Sequence, residues 1–390
     1  MMAALDLDIL DLPDRIAEAD TCEGALILLR IAGRPCGQAV LSFRNWSHEQ
    51  PVLERILAGA DSAFWEAWLA YRLGVNADGE GDAPTFSTDV VICTRDRADD
   101  LRKCLSDLMA MPQDGQRYLV VDNASATDAT RQVVEAFPGV VYVREDRPGL
   151  DIARNTGIRA THGDVIAFID DDAAPDPLWL RKLSRNFAHP AVMAAGGLTM
   201  AMELETGAQI AFQRMGGFGR GFKRVIYDSS NCYAFNAWCA GAGVNMALRR
   251  EVVARVGWFD EALDAGTRSL AGGDADYFRR IINAGWRIVY DPEALNWHRH
   301  RRTMKELERQ VYGYEVSAFA ILAKAVIHER DPRAVAAVLH WLRMRAPQLA
   351  HLVGRKPGWL SFNPLITQVK GAMAGPGRYS AARRELRHAD

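Results

Sequence analysis

No stretch of the chain reaches the roughly 18 uninterrupted apolar residues of a membrane-crossing helix, because charges break its longest apolar patches within a dozen positions. A bilayer span is therefore not expected. Cysteine is sparse: Cys22, Cys36, Cys93, Cys104, Cys232 and Cys239 are scattered over 390 residues with no CxxC pair. That spacing excludes a paired-cysteine zinc cluster and a disulfide scaffold, and it predicts buried, reduced thiols. Net charge is nearly absent as well, since 47 Lys plus Arg against 49 Asp plus Glu leaves -2. Without a global positive field a nucleic-acid partner is not expected. The first 15 residues carry Asp6, Asp8, Asp11 and Asp14 where a secretory leader would have a basic head and an apolar core, so the expected location is cytoplasmic.

What is present is an ordinary globular balance, 49% hydrophobic and 25% charged, on a chain long enough for two or three structural units. Residues 25–43 read as two short β runs around a turn at Gly33, Arg34 and Pro35, and residues 48–73 as helical, giving a small N-terminal α+β unit over 1–84. The polar stretch 76–84, NADGEGDAP, reads as a linker. From about Thr85 strands and helices alternate: DVVICT, DDLRKCLSDLMA, RYLVVDN, TDATRQVVEAF, VVYVRE, GLDIARNTGIRA, DVIAFIDDD. This is the pattern of an α/β fold with a mostly parallel sheet, in which ligands bind beyond the carboxyl ends of the strands. Those ends are Thr94, Arg95 and Asp96, Asp122 and Asn123, and Asp170, Asp171 and Asp172. Ser125 and Asp128 read as helix caps. After Arg301 apolar residues recur at helical spacing with a break near Asp331 and Pro332, which predicts a helical extension over 303–390. Its far end is basic (Arg378, Arg383, Arg384, Arg387) and could touch an anionic membrane surface or form a solvated face.

Three clusters carry chemistry. Phe168-Ile169-Asp170-Asp171-Asp172 delivers three carboxylates into one turn, an arrangement that suits Mg²⁺ or Mn²⁺ bridging a diphosphate; the alternative, capping of the next helix, falls better to Asp176. Gly272-Gly273-Asp274-Ala275-Asp276 precedes an amphipathic helix, so that Asp274 is a candidate general base and either acid a candidate cap. Asn296-Trp297-His298-Arg299-His300-Arg301-Arg302 follows a strand-like run. Its imidazoles could complete a metal shell and its arginines could face phosphate oxygens.

In order along the chain, VVICTRDR, VVDNASATDAT, PGLDIARNTGI, DVIAFIDDDAAPDPLWL, GAGVNMALRREVVARVGWFDE and GGDADYFRRIINAGWRIVYDPEALNWHRHRR resemble glycosyltransferase family 2 over about residues 89–302. The resemblance implies a GT-A fold over 85–302, a nucleotide-diphosphate sugar donor (a UDP-sugar foremost), Mn²⁺ or Mg²⁺, inversion at the anomeric carbon, and a glycan, lipid-linked or small-molecule acceptor. It places Thr94, Arg95, Asp122 and Arg154 on the nucleoside. Asp170 and Asp171 fall on the donor side of the DXD motif, Asp172 and His298 on the metal, and Asp274 as base. Where the family often has Glu-Asp this chain has Gly273-Asp274, which leaves Asp276 as an alternative base. A nucleotidyltransferase would need a Gly-rich basic loop after the first strand, and ICTRDRADD has none. A non-catalytic protein of this fold, and an N-terminal unit that binds a partner, are the remaining alternatives. Acceptor choice is expected to lie in 202–239, whose glycines suggest a mobile lid and whose aromatics could stack on sugars or simply pack.

Overall fold

The computed structural model describes residues 1–44, 46, 51–75, 86–353 and 364–389. The expected linker at 76–84 and the domain start at Thr85 lie outside the described residues. The N-terminal unit holds β1 (Met2–Asp8), β2 (Gly24–Ile31) and β3 (Arg34–Ser42), followed by α1 (Val52–Gly59) and α2 (Ser62–Arg72). The β2–β3 hairpin turns at Ala32 and Gly33, both left-handed. Strand β1, parallel to β2, was not expected; its Asp6 pairs with Arg30 at 2.7 Å. Phe64 on α2 is fully buried against this sheet, and Asp61 caps the helix by accepting from the Phe64 amide at 2.9 Å.

The central unit alternates as expected: β4 (Thr88–Thr94), α3 (Ala98–Ala110), β5 (Arg117–Asn123), α4 (Ala129–Glu135), β6 (Val140–Glu145), α5 (Leu150–Ala160), β7 (Val165–Asp170). It continues through β8 (Ala173–Pro175), α6 (Trp179–Ser184), β9 (Val192–Ala201), α7 (Gly207–Arg214), β10 (Val225–Tyr227), β11 (Asn245–Arg249), α8 (Val252–Val256), α9 (Gly273–Asn283) and β12 (Arg287–His298). The sheet runs β10-β12-β9-β11-β7-β4-β5-β6, with β8 paired to β12. Strands β6, β5, β4 and β7 are parallel, while β11 lies antiparallel between β7 and β9. The chain winds outward from β4 to β6 and returns through α5 to the other side of β4. That reversal opens a crevice at the carboxyl ends of β4, β5 and β7. Leu101, Leu105 and Leu108 of α3 and Trp179 of α6 pack one face of the sheet, and Ile158 of α5 with Tyr277, Phe278 and Ile281 of α9 the other. Both faces are covered, which is why the strands read as continuous β-branched runs.

The N-terminal sheet is docked on the central one. Leu26 and Leu28 share a buried cluster with Leu198, Met200 and Leu295, and Arg30 reaches Asp176 at 2.8 Å. Ser125 and Asp128 do not cap α4: Ser125 Oγ instead accepts from the Asp96 amide at 3.0 Å, joining the β4 and β5 loops, and no side-chain bond caps the helix. The C-terminal extension is helical, with α10 (Met304–Ile327), α11 (Arg333–Val353) and α12 (Pro364–Ala389) and the expected break at Asp331 and Pro332. Thr303 and Glu306 form a capping box at the start of α10. No helix among the described residues is long and apolar enough to cross a membrane.

The extension grips α9. Lys324 Nζ of α10 lies 2.7 Å from Asp276 and 2.9 Å from Asp260, Tyr379 of α12 donates to Asp260 at 2.8 Å, and Arg279 pairs with both Asp276 and Glu329. Lys324→Met would leave two enclosed carboxylates short of a cation. A loss of about 3 kcal/mol is expected, the low end for a broken buried pair because Asp276 keeps Arg279 and Arg280. An unchanged urea unfolding midpoint would show that the network carries no stability.

Candidate active site

The strand register explains why sequence-distant acids meet. Thr94 pairs with Asp122 across β4 and β5, and Cys93 pairs with Asp170 across β4 and β7, so these strand ends lie at one level. The chain then turns through Asp171 and Asp172 into β8, whose Ala173 pairs with His298 at the end of β12. That short antiparallel pairing sets His298 beside Asp172, with Nε2 3.0 Å from Asp172 Oδ1. Asn296 fixes the strand end by accepting from Thr199 Oγ1 at 2.7 Å and donating to the Val244 carbonyl at 2.9 Å.

One donor atom each from Asp170, Asp172 and His298 lies within 4.8 Å of the others. Among the described residues no hydrogen bond or ion pair holds the Asp170 carboxylate, and His298 Nδ1 is buried without a partner. Two carboxylates and one imidazole suit a divalent ion such as Mn²⁺. Burial and Asp172 push the Asp170 carboxyl up. Burial acts likewise on Asp172, but His298, Arg97 and Arg301 outweigh it and hold that carboxyl below the ordinary range. Asp171 points elsewhere: it accepts from Thr94 Oγ1 at 2.6 Å and from Arg97 at 3.1 Å, and burial with Asp172 pushes it up to about 7. Thr94 is thus committed to the acidic turn.

Arg95 is not brought into the cluster. It is exposed and its nearest acid is Asp96, at 3.8 Å. The cation at the turn is Arg97, which sequence reasoning missed: its Nη1 lies 2.8 Å from Asp172. Arg301 stands 3.9 Å from Asp172, whereas Arg299 is taken by Asp100 and Arg302 by Glu203 and Glu205. Asp122 is fully buried. Its Oδ2 accepts from Tyr142 at 2.7 Å and Arg144 at 3.0 Å, while Oδ1 has no partner among the described residues.

Asp274 lies in the first turn of α9. Its Oδ2 accepts from the Gly243 amide at 2.6 Å and Oδ1 from the Ala275 amide at 2.8 Å. Burial and Asp264 push its carboxyl up, against Arg154 and the two amides. Asp276 is a different kind of acid. It is fully buried among Lys324, Arg280 and Arg279, which outweigh burial and hold it far below the usual range. A carboxylate so neutralised is a poor base, so the geometry separates the two candidates. The helix start needs glycine, since Gly272 has φ +95° and a Cβ there would stand 2.7 Å from Ser317 Cβ of α10. Arg154, expected at the nucleoside, is held in this second cluster, 2.9 Å from Asp151 and 2.6 Å from Asp264. His300 is not a member of the metal-type set, although its ring lies 6.0 Å from that of His298: its Nε2 faces Gln213 at 3.2 Å, and its ring packs on Phe212 and Phe218. Segment 202–239 supplies that packing through α7 and the loop that follows it, Phe212 meeting His300 and Phe218 meeting both histidines.

The family profile described as "Glycosyl transferase family 2" matches residues 89–257, which include the crevice, the acidic turn and Arg154. The chain carries a family 2 glycosyltransferase domain. Asp274 and His298 lie beyond the matched segment, on α9 and β12. The transferase is 25% identical over 57% of its length to glycosyltransferase AglE of Haloferax volcanii, covering 69% of that protein. It is 29% identical over 60% of its length to the pre-mycofactocin glycosyltransferase of Mycobacterium tuberculosis, and spans about half (47%) of that relative. Among solved structures it is similar to a mannosyltransferase from Pyrobaculum calidifontis in complex with GDP-Man and Mn²⁺, at 19% identity and a TM-score of 0.45 over 82% of this chain and 93% of that one.

Proposed function

We propose that this transferase moves a sugar from a nucleotide-diphosphate donor, a UDP-sugar foremost, to an acceptor hydroxyl in a single inverting displacement. The observation that carries the reading is the convergence of Asp170, Asp172 and His298 at the mouth of the β4–β7 crevice. These three residues would hold Mn²⁺ or Mg²⁺, which when bound supplies positive charge to the departing diphosphate. Arg97 and Arg301, both partly exposed at the same turn, add cationic charge where the leaving β-phosphate becomes more negative. Asp122 Oδ1, an acceptor without a partner in a buried place, would receive an N–H of the nucleobase, and Thr94 with Asp171 would line the ribose. Asp274, raised in basicity and without an ion pair among the described residues, would take the proton of the attacking hydroxyl. In this reading Arg95 and Arg154 serve the donor only from a distance, Arg154 belonging to the base cluster.

Residues 1–84 and 303–390 flank the transferase domain as an accessory and a supporting unit. Six free cysteines suit a reducing, cytoplasmic compartment. The basic face of α12 would bring the enzyme to an anionic membrane surface when the acceptor is lipid-linked. The testing experiment is calorimetric titration of UDP, GDP, CDP and dTDP with and without Mn²⁺ or Mg²⁺. One nucleotide, expected to be UDP, should bind only with metal; no binding of any in the presence of metal overturns the reading.

A further inference from the structure

Beneath Asp274 lies a buried group that the proposed reaction does not use. Asp151, in the first turn of α5 with no exposure, and Asp264, in the loop ahead of α9, share one cation: Arg154 Nη1 donates to Asp151 Oδ1 at 2.9 Å and to Asp264 Oδ2 at 2.6 Å. Asp264 Oδ2 also accepts from the Gly273 amide at 3.1 Å, which ties the pair to the start of α9. Position 273 carries no side chain, and a Cβ built there would fall on the Asp151 carboxyl. The carboxyl therefore fills, from another element, the space of a side chain immediately before Asp274. Its Oδ2 is buried with no hydrogen-bond partner among the described residues.

Arg154 has a third acid within reach. Its Nη2 and Asp274 Oδ2 border the same space over Gly243, where a Cβ would stand 3.3 Å from Asp274 Oδ2 and against Nη2. Yet the ion pairs of Arg154 are to Asp151 and Asp264, and none joins it to Asp274. A guanidinium released by Asp151 would turn to Asp274, and a salt-bridged carboxylate is a weaker base.

We propose that Asp151 is a positioning residue for the base: standing in the side-chain space of position 273, it holds Arg154 and so keeps the guanidinium off Asp274. The inference rests on Asp274 being the base. The groups that face Asp274 are Asp264, Asp151 and Arg154 of α5, Tyr314 of α10 and the amides of Gly243 and Ala275, and Asp170 of β7 acts on Arg154. Among them Arg154 is the cation, so its approach lowers the basicity of Asp274.

The test is the pH dependence of kcat in the full chain. In Asp151→Ala, kcat is expected to fall roughly tenfold or more and the acid limb to move about one unit lower in pH, with calorimetric nucleotide binding unchanged. Asp151→Asn, whose amide oxygen still accepts from Arg154, should restore both, and Gly273→Ala, whose Cβ displaces the Asp151 carboxyl, should reproduce the Ala phenotype. If Asp151→Ala is not recovered folded, Asp151→Ser, too short to reach the guanidinium, takes its place with the same expectations. Wild-type kcat and limb in the Ala or Ser variant, or an Asn variant as slow as they are, would overturn the proposal. A fully active Asp274→Asn removes the base assignment itself, whereas an inactive Asp274→Asn beside a wild-type-like Asp151→Ala removes only the positioning role.

Discussion

Asp274→Asn is expected to lower kcat by about 10²–10⁴-fold, or roughly 3–5 kcal/mol in barrier, and to leave nucleotide affinity within about twofold. The amide keeps the size of the carboxylate, and its single oxygen can still accept from one of the two amides that donate to Asp274, Gly243 on Oδ2 or Ala275 on Oδ1, so the first turn of α9 keeps one of these bonds. What it loses is the capacity to take a proton. The metal-type ligands Asp170, Asp172 and His298 sit on other elements, β7, its turn and β12, which is why donor binding should survive. A loss confined to kcat/KM through KM would instead make Asp274 a substrate-binding group. Turnover near wild type would move the base elsewhere.

Asp172→Ala should abolish the metal dependence of nucleotide binding. Loss of partners outside a metal's own ligands already costs about 10–100-fold in affinity, so a direct ligand is expected to cost on the order of 100-fold or more. Asp172 also accepts from Arg97 and pairs with His298, so its removal leaves His298 without its carboxylate and Arg97 with Asp171 alone at the mouth of the crevice. Calorimetry with Mn²⁺ reads the effect directly. Retained metal-dependent binding in this variant would transfer the ligand role to Asp170 and His298 alone.

The α/β alternation was legible because each β-branched run ends in a polar turn, and the elements over 88–170 fall within a residue or two of the expected ones. Strand β1 gives a weak signal because Asp6 and Asp8 interrupt its apolar residues, although Leu5-Asp6-Leu7-Asp8 alternates as an edge strand does. At the site, the strand ends pointed to the loop after β4, and the resemblance placed Arg95 there on the nucleoside. The backbone turns at Asp96, which is left-handed with φ 54°; Arg95 on one side of the turn is exposed, and Arg97 on the other meets the acids. No local pattern forecasts such a turn in a residue other than glycine. The pairing of Asp172 with His298 depends on β8 meeting β12, a contact across the whole domain that no spacing rule reveals. Asp264 sits in an irregular loop and gave no signal at all. Asp276 could be separated from Asp274 only once Lys324 arrived from α10, outside the resembling segment.

The antiparallel β8–β12 step has a consequence for the life of the protein before any sugar is moved. It draws the Asp170–Asp172 turn and His298, about 130 positions apart in sequence, into one ligand set, a proximity that an unfolded chain of that length meets only at the cost of closing a long loop. A cation with affinity for the set therefore binds the folded chain and scarcely the unfolded one. By mass action, free ion at a hundred times its dissociation constant adds about 2.7 kcal/mol to folding stability. With such an ion bound at this set, divalent-ion supply would act as a folding ligand and raise the share of the polypeptide that survives folded.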